Sequence, residues 1–438
     1  MSARTREMLA LVPVALLIAA GFAAILITRQ GSFEGREINE LTVTYGGVFL
    51  GACLFGHLFI RARLPDADPY LFPLVALLAA FGLVEIYRIS PSRAGQQAVW
   101  FGVGLALFCL TVVFLRDHRV LERYRYLIAL TGIGLLMLPR VPGIGQSTNG
   151  AFLSVGVGPV QFQPAEFSKL AVIVFLASYL SETRDVLVRG RLPRLSMKHL
   201  GPLLVIWGLA MLMLIVIRDL GSSLMFFGGF LALVYVATAR LSLVAAGLGM
   251  FLGGAWFLST HISHVQDRID VWRDPFKPEL VEKEGYQISQ GLFAQADGGM
   301  FGEGLGSSLL QQADGTPILP AAHTDLIYAV ITSELGLFGA TAILLAALLI
   351  VARGFKTAVL ATDGFSKLLA AGLASVFALQ VFVIVGGVVK AIPLTGVTFP
   401  FVSYGGSSIV ANFVLVALLL IVSDKARRDP GAQRGGLV

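Results

Sequence analysis

A histidine and a carboxylate stand two positions apart in Ala322-His323-Thr324-Asp325-Leu326-Ile327, where a turn-rich stretch gives way to a long apolar run. Taken alone, Asp325 reads as the N-cap of the helix that follows. A carboxylate partly withdrawn from water beside a cavity can instead have its proton affinity raised into the range of a general base. Glu334 lies nine residues on, about two and a half helical turns deeper, without a local partner, so another helix must supply one. A second chemical pair stands in Gln163-Pro164-Ala165-Glu166-Phe167-Ser168-Lys169. Pro164 suits a first helical turn, and the i,i+3 spacing puts Glu166 and Lys169 on one face. They form either a structural ion pair or a cation held ready for an anionic ligand.

Two further segments have the composition of a ligand surface. Arg268-Ile269-Asp270-Val271-Trp272-Arg273-Asp274-Pro275, followed by Gly285-Tyr286-Gln287, mixes cations, carboxylates and amides in a way that suits sugars and phosphates. Beyond Lys390, Pro393-Leu394-Thr395-Gly396 and Phe399-Pro400-Phe401-Val402-Ser403-Tyr404-Gly405-Gly406-Ser407-Ser408 interrupt the helical pattern just before the last apolar run. Free backbone N–H groups and hydroxyls at a helix start form an anion site, for which a diphosphate is a natural guest. Non-helical backbone at membrane depth is tolerated only where it is buried or lines a cavity. Asp219, before Leu220-Gly221-Ser222-Ser223, reads as a helix N-cap or a ligand contact.

The elements that must position these residues are membrane helices. Of 438 residues, 56% are hydrophobic and 14% charged, with a mean hydropathy of +0.80; a soluble domain carries roughly 25% charged residues. A water-soluble enzyme is excluded, and the expected fold is an all-α polytopic bundle. Apolar runs place about twelve spans near 8–28, 41–59, 70–89, 97–115, 124–138, 164–180, 200–217, 220–239, 241–259, 326–351, 366–388 and 407–423. With both termini inside, about 20 Lys and Arg fall on the inner side and about 11 on the outer, the bias expected of cytoplasmic termini. That bias absorbs most of the net charge of +6, so no basic stripe remains for nucleic acid. Cys53 and Cys109 lie within apolar runs and form no disulfide framework. Two outside segments, about 139–163 and 260–325, are too long for simple turns and are where chemistry is expected. The segment from Ala426 to Val438 reads as a short disordered tail.

At these residues the sequence resembles the SEDS family (shape, elongation, division and sporulation), whose members include RodA and FtsW. The resemblance runs from about Asn149 to about Ser423 through four ordered blocks. They are Asn149-Gly150-Ala151 leading to Gln163–Lys169, then Asp219-Leu220-Gly221, then Gly285-Tyr286-Gln287 through His323-Thr324-Asp325, and finally Phe399–Ser408. It implies a ten-span core over about 61–424 with a long extracellular loop near 260–325. Two additional N-terminal helices would occupy about 1–60, and a cytoplasmic tail 425–438. The implied activity is a peptidoglycan glycosyltransferase that polymerises lipid II at the outer face of the bacterial cytoplasmic membrane. The implied partner is a class B penicillin-binding protein that supplies the transpeptidase.

The family's essential acid falls on Asp325, which turns the N-cap reading into a catalytic one. Glu166 and Lys169, and Gly405, Gly406, Ser407 and Ser408, match residues the family needs; Arg268, His323, Lys390 and Ser403 complete the expected substrate-binding set. Because lipid II is α-linked and the polymer β-linked, a single inverting displacement is expected. Asp325 would be its base, with cations on the leaving diphosphate. A divalent cation, Mg or Mn, could share that work, although no metal-ligand spacing marks a dedicated site. The chain departs from the family at Leu153 and Ser154, at Arg218, at Ser333 and in a longer stretch over Phe276–Glu284. Its short ends favour the elongation branch over the division branch. A lipid II flippase and a noncatalytic scaffold for the penicillin-binding protein are the alternative readings.

Overall fold

The computed structural model describes the chain except for residues 1, 31–41, 149–150, 158–159, 190–196, 213–218, 262, 309, 311–317 and 429–438. Among the described residues eight helices are long and apolar enough to cross a membrane. They are Ala3–Ile25, Thr44–Arg63, Leu71–Ile89, Pro91–Phe114, Leu220–Thr238, Ile327–Leu360, Gly364–Val388 and Gly406–Arg428. The other four expected spans also fall on helices. Arg125–Met137 is short, as is Met197–Leu212; Pro164–Arg189 carries Glu166, Lys169, Glu182, Arg184 and Asp185; the fourth is Leu241–His261. Helix starts are set by side chains where the sequence offers them. Asp219 accepts from the Ser222 amide at 2.9 Å, the capping reading of that residue, and Asp363 accepts from the Ser366 amide at 2.9 Å.

The chain divides into two compact units, one of Met1–Val113, Arg268–Arg353 and Gln380–Val416, the other of Phe114–Asp267, Gly354–Leu379 and Ala417–Val438. In the first, the N-terminal helices pack on Leu71–Ile89 through small residues that let backbones approach. A β-carbon on Gly21 would lie 2.8 Å from Val84, and one on Gly56 would collide with the Phe72 ring. Arg4 meets Glu7 and the Ala67 carbonyl, so these two buried charges are paired, and His57 Nδ1 lies 3.1 Å from Glu7. Asp68 is held by Arg353, whose Nε lies 2.9 Å from Oδ2.

The most consequential local feature of this unit is a break in Ile327–Leu360 at Gly336, with φ 66° and ψ −172°. Only glycine adopts that conformation readily. The backbone groups released by the break are taken up by residues 299–304. Glu303 and Gly304 amides donate to the Ser333 and Glu334 carbonyls, both at 3.0 Å, while Leu337 and Phe338 amides donate to Gly299 and Met300 at 3.0 and 3.2 Å. Unpaired backbone in an apolar surround is costly, so this segment completes the helix.

The second unit holds a feature that an all-α reading omits. Gly145–Thr148, Ala151–Val157 and Val160–Phe162 form a three-stranded antiparallel sheet in sequence order, with Val155 opposite both Gly145 and Phe162. The 139–163 segment expected as a loop is therefore largely strand, and its β-branched Val155, Val157 and Val160 suit that state. Asn149 and Gly150 lie outside the described residues. Pro164 opens the next helix as the sequence predicts. The long segment 260–325 contains the helices Ser263–Arg273 and Tyr286–Gly298. The expected tail begins too early, since the last helix runs to Arg428 and takes in Ala426; the remainder lies outside the described residues.

Candidate active site

Asp325 ends a turn at the start of Ile327–Leu360, the Thr324 and Leu326 amides both donating to the Ala321 carbonyl, at 3.0 and 3.2 Å. Gly396 packs against it. A β-carbon there would sit 3.5 Å from Oδ2, and φ of +73° disfavours any other residue. Burial raises the Asp325 carboxyl to about 6, outweighing the opposing pull of the Arg268 guanidinium. Arg268 is itself fixed by donation from Nη1 to the Leu394 carbonyl at 2.7 Å, two residues before Gly396. Trp272, one helical turn beyond Arg268, donates to the Lys390 carbonyl at 3.1 Å, and Lys390 has a left-handed φ of 61°. Arg268, Lys390 and Asp325 are thus tied to one stretch of backbone, 390–396.

The segment before the last helix closes against the same block. Ser403 Oγ donates to the Thr324 carbonyl at 2.8 Å and accepts from the Phe399 amide at 2.9 Å, while the Tyr404 amide donates to the His323 carbonyl at 2.8 Å. Ser408 Oγ lies 2.8 Å from Thr398 Oγ1 and accepts from Gln380 at 3.2 Å. Both hydroxyls are buried and serve to shape the turn. Gly405 and Gly406 allow close approach: a β-carbon on Gly406 would overlap the Trp100 indole, and one on Gly405 would lie 3.1 Å from Thr398. Ser407 is buried in the first turn of the helix. Gly82 gives the turn room from the other side, since a β-carbon there would lie 2.6 Å from the Val402 carbonyl oxygen.

The structure adds residues that sequence reasoning assigns only to charge balance or not at all. Arg93 contacts Nε2 of His323 and lies 5.6 Å over the Tyr404 ring. Gln96 accepts from the Tyr404 hydroxyl at 2.6 Å. Gln97 donates to the Ser403 carbonyl at 3.1 Å and accepts from the Gly405 amide at 3.2 Å, so one amide of the expected anion site is already engaged. Their i, i+3, i+4 spacing in Pro91–Phe114 is a polar stripe on an apolar helix, and that was the available signal. Burial and the Arg93 charge lower the His323 imidazole to about 4, leaving it neutral near pH 7. Glu334 finds the partner expected from another helix: Arg88 Nε lies 2.7 Å from Oε1, and the Gly306 amide donates to Oε2 at 2.7 Å.

Glu166 and Lys169 belong to the second unit, where Nζ lies 2.9 Å from Oε2, the predicted i,i+3 pair. Arg218 lies outside the described residues. Among the described residues no three His, Cys, Asp or Glu side chains gather as a metal site.

Fold and site together define a multi-pass helical membrane protein with a raised-affinity carboxylate at the start of a broken apolar helix. The chain belongs to the cell cycle protein family of FtsW, RodA and SpoVE, whose model matches residues 69–428. It is 42% identical over 426 residues to the peptidoglycan glycosyltransferase RodA of Mycobacterium tuberculosis H37Rv, covering 93% of this chain and 88% of that one. Its fold matches a chain solved in work on polymerisation and crosslinking by a peptidoglycan synthase complex, with TM-score 0.68, 27% identity, and 83% and 99% of the two chains covered. It also matches the rod shape determining protein RodA of Thermus thermophilus, with TM-score 0.59, 25% identity, and 83% and 98% covered.

Proposed function

We propose that the protein is a RodA-like peptidoglycan glycosyltransferase that polymerises lipid II at the outer face of the bacterial cytoplasmic membrane, with both termini cytoplasmic. The observation that carries the reading is Asp325: a partly buried carboxylate near 6, beside Arg268 and Gly396, in a chain of this family. Such a carboxylate is ionised at neutral pH yet retains affinity for a proton, as a general base requires. Asp325 removes the proton from the 4-hydroxyl of the acceptor GlcNAc. The oxygen forms a bond to the anomeric carbon of the donor MurNAc as the bond to the diphosphate breaks, and undecaprenyl diphosphate leaves with inversion.

Arg268 and Lys390 stabilise the departing diphosphate as its charge develops. Ser403 and Ser408 hold the 399–408 turn that frames the site, while Gly405, Gly406 and Ser407 supply its close approach and helix start. A class B penicillin-binding protein is the proposed partner; the likeness to a chain from a peptidoglycan synthase complex supports it.

The test is lipid II polymerisation by the purified protein with its class B partner, under moenomycin to silence contaminating polymerases. Wild type yields glycan strands, and Asp325→Ala or Asp325→Asn loses roughly 10²–10⁴-fold in rate while still binding the partner. Undiminished polymer from both variants would end the assignment of Asp325. No polymer from wild type would favour the flippase or scaffold reading.

A further inference from the structure

We propose that Arg93 is a positioning residue for this reaction, holding His323 as a neutral imidazole with its single proton on Nδ1, two residues from Asp325. The inference rests on the reading of Asp325 as the base and adds a residue to it. A guanidinium has five donors, no acceptor, and does not give up its charge at any working pH. Its contact with Nε2 of His323 is a hydrogen bond only if that nitrogen carries a lone pair, which places the ring proton on Nδ1. The geometry around the pair is over-determined. The Tyr404 ring lies 5.6 Å from the Arg93 guanidinium carbon and 5.9 Å from the His323 ring, tilted from it by 57°. Its hydroxyl is held by Gln96 and its amide by the His323 carbonyl. Arg93 and Gln96 therefore fix both faces of the contact from one helix.

The consequence for chemistry is electrostatic. Arg93 is the charge that acts on His323, with Tyr404 beside both, and Arg268 is the charge that acts on Asp325. A protonated His323 would add positive charge two residues from Asp325, which pulls a carboxylate's proton affinity down and weakens it as a base. Burial disfavours that charge first, and Arg93 adds to it by occupying Nε2 and by opposing a second positive charge next to its own. The half-buried ring is left with one donor, Nδ1–H, which suits a sugar hydroxyl or a diphosphate oxygen of the substrate.

The experiment uses the full chain in lipid nanodiscs with ¹⁵N-labelled histidine, the His323 signals being assigned by their loss in His323→Gln. Wild type is expected to show a neutral, Nδ1-protonated ring at pH 7. Arg93→Lys, which still donates, keeps that tautomer and rescues polymerisation to within about threefold of wild type. Arg93→Gln moves the ring to a tautomer mixture, and slows polymerisation at least tenfold at unchanged melting temperature and partner binding. An Nε2-protonated or charged ring in wild type overturns the proposal, as does an Arg93→Gln variant with unaltered ring signals, whatever its activity. If the ring behaves as expected but wild type makes no polymer, the catalytic reading fails while the Arg93–His323 relationship stands.

Discussion

Arg88 and Glu334 form an ion pair between two apolar helices, Nε to Oε1 at 2.7 Å, and both side chains are buried. Glu334 also caps the Gly306 amide and accepts from Ser308 Oγ at 2.9 Å, while Arg88 donates to the Ser308 carbonyl at 2.5 Å. Breaking a buried ion pair by removing one partner costs about 3–5 kcal/mol. Arg88→Gln or Glu334→Gln is expected to lower the detergent melting temperature sharply, and the double variant by less than the sum. Wild-type melting in either single variant would show that the pair contributes little.

Polymerisation should depend on pH through Asp325. The base acts ionised, so the rate is full above the folded value of about 6 and falls as the pH drops through it. Arg268 holds that value down, so Arg268→Gln moves the midpoint upward and narrows the active range from the acid side. The check is the rate of lipid II consumption from pH 5 to 9 in both proteins; a downward shift in the variant would contradict the assignment.

Gln97 holds both ends of the Ser403–Gly405 turn, and each such bond contributes about 1 kcal/mol. Gln97→Ala is expected to reduce kcat roughly ten- to thirtyfold with the fold intact, because the 399–406 backbone loses its tether to Pro91–Phe114. Unchanged kcat would mean that the Ser403 and Tyr404 contacts alone fix the turn.

Gly336→Ala places a β-carbon within 2.5 Å of the Met300 carbonyl in a backbone conformation closed to alanine. The conformation alone costs about 1–3 kcal/mol, and the collision adds to it. Thermal unfolding and protease resistance of the 299–304 segment should both fall, whereas Gly299→Ala, with φ 50° and open space around its β-carbon, should fall less.

The apolar runs were legible because a spanning helix needs a length and a composition that little else in a chain provides. Asp325 and the Glu166–Lys169 pair were legible for the complementary reason that charge beside or within such runs is rare. The short sheet at Gly145–Phe162 is not legible, since three to seven residues give too brief a pattern to stand out among Gly and polar residues. Helix Tyr286–Gly298 was hidden by its mixed surface. Arg93, Gln96 and Gln97 escaped notice because their meaning depends on His323 and on residues 403–405, more than 200 positions away. The partner of Glu334 was expected in kind but not in identity, as sequence spacing carries no record of which helices become neighbours.

The break at Gly336 also orders events during synthesis. The amides and carbonyls that complete the helix come from residues 299–304, which leave the ribosome before residues 333–338. The complementary turn segment is already present when the broken helix enters the bilayer, so its exposed peptide groups can be matched at once. A sequence with the two pieces exchanged would have to hold an open helix in hydrocarbon while waiting for its complement. Circular permutants that reverse this order should insert poorly even if the finished fold were equally stable.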